Sequence, residues 1–168
     1  MRVGIVANRE DPEAGFVEER LGELGATFVR AWRSEPARLC ALEHEVDVIV
    51  LLGSDWSVYD PAHSGSTEAE RALIVRATEV GCPTLGICFG AQLIASAFGC
   101  AVERAPLGEI GWATIETDVP ELFGDGPWFQ FHLDRWIPTD VHRPLARSAR
   151  GAQAIVKQRT LGVQFHPE

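Results

Sequence analysis

The sequence predicts a doubly wound α/β fold built on an open, mainly parallel sheet. Three observations carry this prediction. Short apolar runs alternate with helix-patterned segments through residues 1–99, the β-α-β-α order of such sheets. The run at residues 46–52 is apolar except for Asp47, as expected of a strand covered on both faces. The Gly86-Ile87-Cys88-Phe89-Gly90 stretch joins an apolar strand to a helix-like segment through a sharp turn.

Each element follows in order. Residues 3–7 form an apolar first strand. Asn8-Arg9-Glu10-Asp11 interrupts it too soon for a signal peptide. Residues 15–24 have helical spacing, with Phe16, Val17, Leu21 and Leu24 on one side. Residues 27–32 read as a second strand and 36–42 as a short helix. After the strand at 46–52 comes a polar loop, 53–66. Residues 67–80 are the clearest helix, with Glu68 and Glu70 in its first turn and Gly81-Cys82-Pro83 ending it. Residues 83–87 are the next strand, followed by the turn at Cys88 and a helix running to Gly99. The second half changes character. Strands are expected at 109–117 and 128–133, a turn-rich loop at 120–127, and a late antiparallel hairpin at 152–156 and 161–165. With no repeat and no linker, residues 1–168 form one domain large enough for its own core.

Composition narrows the function. Hydrophobic residues make up 46% and charged residues 23% of the chain, the balance of a soluble globular protein. The net charge of −9 argues against a nucleic-acid backbone as partner. The four cysteines (Cys40, Cys82, Cys88, Cys100) have neither metal spacing nor disulfide density. A reducing cytoplasm is therefore the expected setting, and no metal or cofactor is expected. No Gly-rich phosphate loop and no G-K-[ST] is present.

Cys88 lies between near glycines on the turn, so its side chain is pushed out of the sheet and a substrate can approach. The helix N-terminus that follows favours negative charge there. The chain also carries Val163-Gln164-Phe165-His166-Pro167-Glu168. In extended backbone His166 and Glu168 project to the same side. Glu168 then fixes the imidazole tautomer while His166 takes the thiol proton. Cys88, His166 and Glu168 are thus the parts of a cysteine-based acyl-transfer site. Taken alone, Gly-x-Cys-x-Gly is more often a buried cysteine near a turn. The strand-turn-helix context and the second motif together favour chemistry.

In this order, the elbow, the Gly53 loop and the His-Pro-Glu ending resemble the class I glutamine amidotransferases, closest to the stand-alone, GMP-synthase-like members. The resemblance runs along nearly the whole chain. Gly86 to Gln92 match the family's nucleophile motif, and Gly162 to Glu168 match its Gly-Val-Gln-Phe-His-Pro-Glu without change. Glu109-Ile110-Gly111-Trp112 and Phe131-His132-Leu133-Asp134 are similar to further segments of the stand-alone group. The resemblance implies a flavodoxin-like three-layer sandwich and a Cys88-His166-Glu168 triad that hydrolyses the glutamine side-chain amide through a γ-glutamyl thioester. It implies an oxyanion hole from the N–H of Phe89 and the Gly53-Ser54 loop, and a substrate pocket lined by Gln92, Ser57 and Tyr59. Ammonia would pass to an ATP-using synthetase partner. Family members continue into a C-terminal helix after this glutamate, so the same resemblance implies a domain short of that helix.

One motif departs from the pattern. The family's Gly-Gly-Pro loop reads Gly53-Ser54-Asp55 here. If the second glycine needs positive φ, Ser54 costs about 1 kcal/mol or more in strain. Asp55 would bring a negative charge towards a site that must stabilise another. Two further readings therefore stay open: a free-standing γ-glutamyl or related amide hydrolase, and a non-catalytic regulatory module of the same fold. His132 and Asp134 are candidates for a secondary polar cluster, with a satisfied histidine the simpler reading. Trp112, Trp128 and Trp136 read as core or rim.

Overall fold

A computed structural model describes residues 1–124 and 126–168. An eight-stranded sheet runs in the order β2-β1-β3-β4-β10-β9-β8-β6. Its parallel half consists of β2 (Thr27–Trp32), β1 (Arg2–Ala7), β3 (Val48–Leu51), β4 (Thr84–Ile87) and β10 (Thr160–Val163). The other half is antiparallel: β9 (Gly151–Lys157), β8 (Ala146–Ser148) and β6 (Glu116–Thr117). A separate antiparallel ribbon pairs β5 (Val102–Thr114) with β7 (Pro127–Trp136).

Side-chain alternation divides the core between the two faces of the sheet. Val3, Ile5, Val50, Leu52, Ile87 and Val163 share one cluster, with Val17 and Leu21 of α1 (Gly15–Glu23) packed against it. Val6, Ile49 and Leu51 turn the other way, towards α2 (Ser64–Val80) and α3 (Phe89–Ala97). This is the sandwich the sequence predicts. Phe16 and Leu24, grouped with Val17 and Leu21 by spacing, are instead exposed.

Several boundaries differ from the sequence reading. α2 starts earlier than residue 67. Asp60 accepts a hydrogen bond from the Ala62 N–H at 2.9 Å, and Pro61 opens a 3-10 turn that feeds the helix. Glu70 therefore lies beyond the first turn and faces inward, where it pairs with the fully buried Arg33. Burial pushes the Glu70 carboxyl above the ordinary carboxylate range, and Arg33 pulls it back. Residues 36–42 give 3-10 turns at Pro36–Leu39 and Leu42–His44, because Ala41 between them takes a left-handed conformation. The strand expected at 109–117 is longer and split into β5 and β6, with an irregular register between Arg104 and Glu109. The expected loop 120–127 holds the short α4 (Pro120–Phe123), and Asp125 within it lies outside the described residues. Trp136 is core, whereas Trp112 is exposed.

Among the described residues, no helix is long and apolar enough to cross a membrane. Asn8, Gly53, Cys88 and His166 all follow the carboxyl ends of parallel strands, of β1, β3, β4 and β10 respectively. Open α/β sheets bind ligands at that edge.

Candidate active site

Close backbone packing sets the geometry of the nucleophile turn. A Cβ on Gly90 would stand 2.2 Å from the Leu51 carbonyl oxygen, and one on Gly86 would stand 2.6 Å from the Gly90 carbonyl carbon. Both positions therefore require glycine, because α3 starts directly against β3 and β4. Between them Cys88 is held at φ 52° and ψ −104°, a region that costs an L-residue about 1–3 kcal/mol. The Cys88 N–H donates to the Val163 carbonyl at 2.8 Å, which ties the turn to β10. The thiol sits at the N-terminus of α3, facing a cleft of about 910 Å³, a volume that suits a small metabolite.

His166 reaches the same cleft from the segment after β10. Its backbone N–H donates to the Phe129 carbonyl at 2.9 Å, a bridge to the start of β7. Its Nδ1 lies 2.8 Å from Glu168 Oε1, while Nε2 is buried with no hydrogen-bond partner among the described residues. Burial works against a charged imidazole here. Cys88 and Glu168 outweigh it and raise the His166 pKa to about 10. The folded value lies above the ordinary 6.5, so folding takes up a proton at this ring. The stability His166 contributes is full below about 6.5 and fades as pH rises through about 10. In Cys88→Ser, one of the two raising partners is lost. The His166 titration, followed by NMR, is expected to move down by about one pH unit or more. An unchanged midpoint would mean that Glu168 alone holds the proton.

The loop after β3 forms the opposite wall. Gly53 lies against both functional groups: a Cβ there would be 3.6 Å from His166 Cε1 and 3.8 Å from Cys88 Cβ. Ser54 is not in the left-handed region, so the strain considered for serine at this position does not arise. Its Oγ accepts hydrogen bonds from Asn8 Nδ2 at 2.9 Å and from the Trp56 N–H at 3.1 Å. Asp55 is exposed at the cleft rim, and its carboxylate accepts from the same Asn8 amide at 3.3 Å. Among the described residues, the N–H groups of Gly53, Ser54 and Phe89 have no hydrogen-bond acceptor.

Ser57 and Tyr59 converge on Asp134 of β7. Ser57 Oγ donates to Oδ2 at 2.6 Å and the Tyr59 hydroxyl to Oδ1 at 2.9 Å. Ser57 lines the cleft, whereas Tyr59 is half-exposed and touches the site through Asp134. Gln92 is buried at the cleft floor. Its amide donates to the Asp134 carbonyl at 3.3 Å and to Gln164 Oε1 at 3.4 Å. His132 is also buried, with Nδ1 3.0 Å from the Asp134 carbonyl and Nε2 3.4 Å from Glu109. Burial lowers its pKa, against the Asp134 carbonyl and Glu109, which raise it. His132 and Asp134 thus join a polar floor that also includes Glu109, Gln130 and Gln153.

The sequence reading did not reach Asn8, Arg33 or Gln164 as parts of this site, nor Arg104, whose guanidinium lies 3.9 Å from Asp134 Oδ1 at the cleft wall. Asn8 and Arg33 each follow a strand with no motif around them, so spacing carried no signal. Gln164 stands inside the motif that supplied His166. Its amide approaches Cys88 Sγ at 3.8 Å, and it stands two residues before His166, so the alternation that pairs His166 with Glu168 is the signal that could have found it.

Comparison with known proteins identifies the family. The model of the family "Glutamine amidotransferase class-I" matches residues 16–168. The chain is 30% identical over 171 residues to the GMP synthase [glutamine-hydrolyzing] of Pyrobaculum aerophilum, covering 98% of this chain and 32% of that protein. It is 34% identical over 135 residues to the GMP synthase [glutamine-hydrolyzing] of Thermus thermophilus, covering 76% of this chain and 25% of that protein. The chain thus spans about a third or less of the length of these curated relatives. Among solved structures, a glutamine amidotransferase from Thermotoga maritima superposes with a TM-score of 0.88 at 27% identity, covering 99% of this chain and 75% of that one. A glutamine amido transferase from Methylobacillus flagellatus shares the fold, with a TM-score of 0.83 at 23% identity over 98% of this chain and 68% of that one. With the family model matching residues 16–168, the chain belongs to the class I glutamine amidotransferases.

Proposed function

We propose that this domain hydrolyses the side-chain amide of glutamine through a Cys88-His166-Glu168 triad and supplies the ammonia to a synthetase partner. The observation that carries the reading is one cleft containing both the strained Cys88 elbow and the His166–Glu168 pair at 2.8 Å. The Cys88 sulfur attacks the side-chain amide carbon, and the carbonyl oxygen takes the negative charge. The N–H of Phe89 and the Gly53-Ser54 loop, all free of other acceptors among the described residues, stabilise that oxygen. His166, held charged, gives its proton to the leaving nitrogen. Ammonia departs and a γ-glutamyl thioester remains. Water then gives a proton to His166 and attacks the thioester. Glutamate leaves, and the protonated imidazole faces the sulfur again.

The pocket chemistry supports an amino-acid substrate. Asp134 lines the cleft as a buried carboxylate, a partner for an α-ammonium group. The relatives named GMP synthase are far longer than this chain, which supports a synthetase partner, as a domain or a subunit, that accepts the ammonia. A thiol nucleophile suits a reducing cytoplasm.

Intact-mass labelling by a glutamine-like electrophile, beside Cys88→Ser, tests the reading. One adduct, absent in the variant and blocked by glutamine, is the expected result. Labelling that glutamine does not block would favour a hydrolase of another amide, and a thiol inert to every alkylator would favour the non-catalytic module.

A further inference from the structure

Arg33 makes an unusual set of contacts for a residue at the end of an outer strand. It follows β2, is fully buried, and lies behind the loop that walls the cleft. Its Nε donates to both oxygens of Glu70 at 3.0 and 3.2 Å. Nη1 donates to the Gly53 carbonyl at 2.9 Å and to Asn8 Oδ1 at 3.3 Å, and Nη2 donates to the Leu52 carbonyl. The guanidinium also lies 4.9 Å over the Phe89 ring. The Asn8 amide in turn holds Ser54 Oγ and Asp55.

A trans peptide is planar, and its C=O and N–H point in opposite directions. Holding the carbonyls of Leu52 and Gly53 on Arg33 therefore turns the N–H groups of Gly53 and Ser54 away from it. Gly53 itself abuts Cys88 and His166 on the side that faces the cleft. We infer that Arg33, braced by Glu70 and extended by Asn8, is the positioning residue of the oxyanion loop, holding its amides in the donating orientation with serine and aspartate where Gly-Pro stands in the family motif. The fork of a guanidinium suits this task because it presents several fixed donors at once. The buried ion pair adds little to stability by itself, but it fixes where that fork points.

The inference rests on the acyl-transfer reading, so the test carries a readout that does not need turnover. The variants are Arg33→Met with Glu70→Met, which removes both buried charges together, and Asn8→Ala, which leaves the ion pair intact. In the double variant, kcat for glutamine hydrolysis is expected to fall about 100-fold, with KM within about threefold. Alkylation of Cys88 by iodoacetamide is expected to stay at the wild-type rate. Deuterium uptake by the hydrogen-bonded amides of this segment, Leu52 and Trp56, is expected to rise about tenfold or more. Asn8→Ala should move the same readouts less far, and it decides alone if the double variant does not fold. Unchanged uptake in the loop, a change confined to KM, or an equal loss of alkylation and kcat would overturn the inference. If the wild type alkylates but does not hydrolyse glutamine, the proposed function falls, and the exchange result still decides the role of Arg33.

Discussion

Glutamine hydrolysis is expected to fall by about four orders of magnitude in His166→Gln, the upper end of what a positioned general acid–base contributes. In the proposed mechanism His166 serves both half-reactions, first as acid to the departing nitrogen and then as base to the attacking water. Its Nε2 has no other partner among the described residues, and its Nδ1 contact with Glu168 is the one contact of the ring nitrogens lost with it. Glutamine at this position retains bulk, and the backbone bridge from residue 166 to Phe129 does not depend on the side chain. The fold should therefore persist, with a melting temperature lowered by the loss of the stability that the charged His166 contributes beside Glu168. Single-turnover kinetics on radiolabelled glutamine, beside thermal unfolding, would measure both. Cys88 should also alkylate more slowly, because the charged ring beside it is gone. Activity within about tenfold of the wild type would remove His166 from the chemistry.

The second large effect is on folding. Gly90→Ala is expected to destabilise the domain by about 4 kcal/mol or more, among the largest values for single substitutions. The added Cβ would stand 2.2 Å from the Leu51 oxygen and 2.9 Å from the Leu51 carbonyl carbon. Both atoms belong to the backbone of β3, which pairs with β1 on one side and β4 on the other. Relief requires α3 to move off the sheet, and that movement takes Cys88 with it. Gly65→Ala in the second position of α2 is the control, because a Cβ there meets nothing within 4 Å. It should be neutral or stabilise by up to about 1 kcal/mol. Urea unfolding of the two variants would separate close approach from a general intolerance of alanine. A Gly90→Ala protein as stable as the wild type would mean that α3 does not seat on β3 in this way.

The parallel half of the sheet was legible because its code is local. A strand covered on both faces is apolar at nearly every position, as in Val48–Leu51, and Gly81 ends α2 with a left-handed cap. The elbow was legible for a steric reason, since only glycine admits the approach at residues 86 and 90. The ribbon was harder to read. In β7 the polar residues Gln130, His132 and Asp134 point inward, while Phe129, Phe131 and Leu133 are exposed. Alternation marked a strand there but gave the opposite burial to the usual one. The short β6 and β8 have too few residues for any period, and only their neighbours in the sheet specify them.

The same division holds for the site. The sequence by itself singled out the residues proposed as nucleophile, base and carboxylate partner. Each of them sits in a short segment whose chemistry and backbone shape are set by adjacent residues. Only the tertiary structure decided what surrounds them. Arg33 meets Glu70, Asn8 and Gly53 across gaps of 37, 25 and 20 residues, and Asp134 meets Ser57 across 77. Such contacts leave no periodicity in the chain. They exist because parallel strands bring their carboxyl ends to one edge, where groups far apart in sequence must satisfy one another's buried hydrogen bonds.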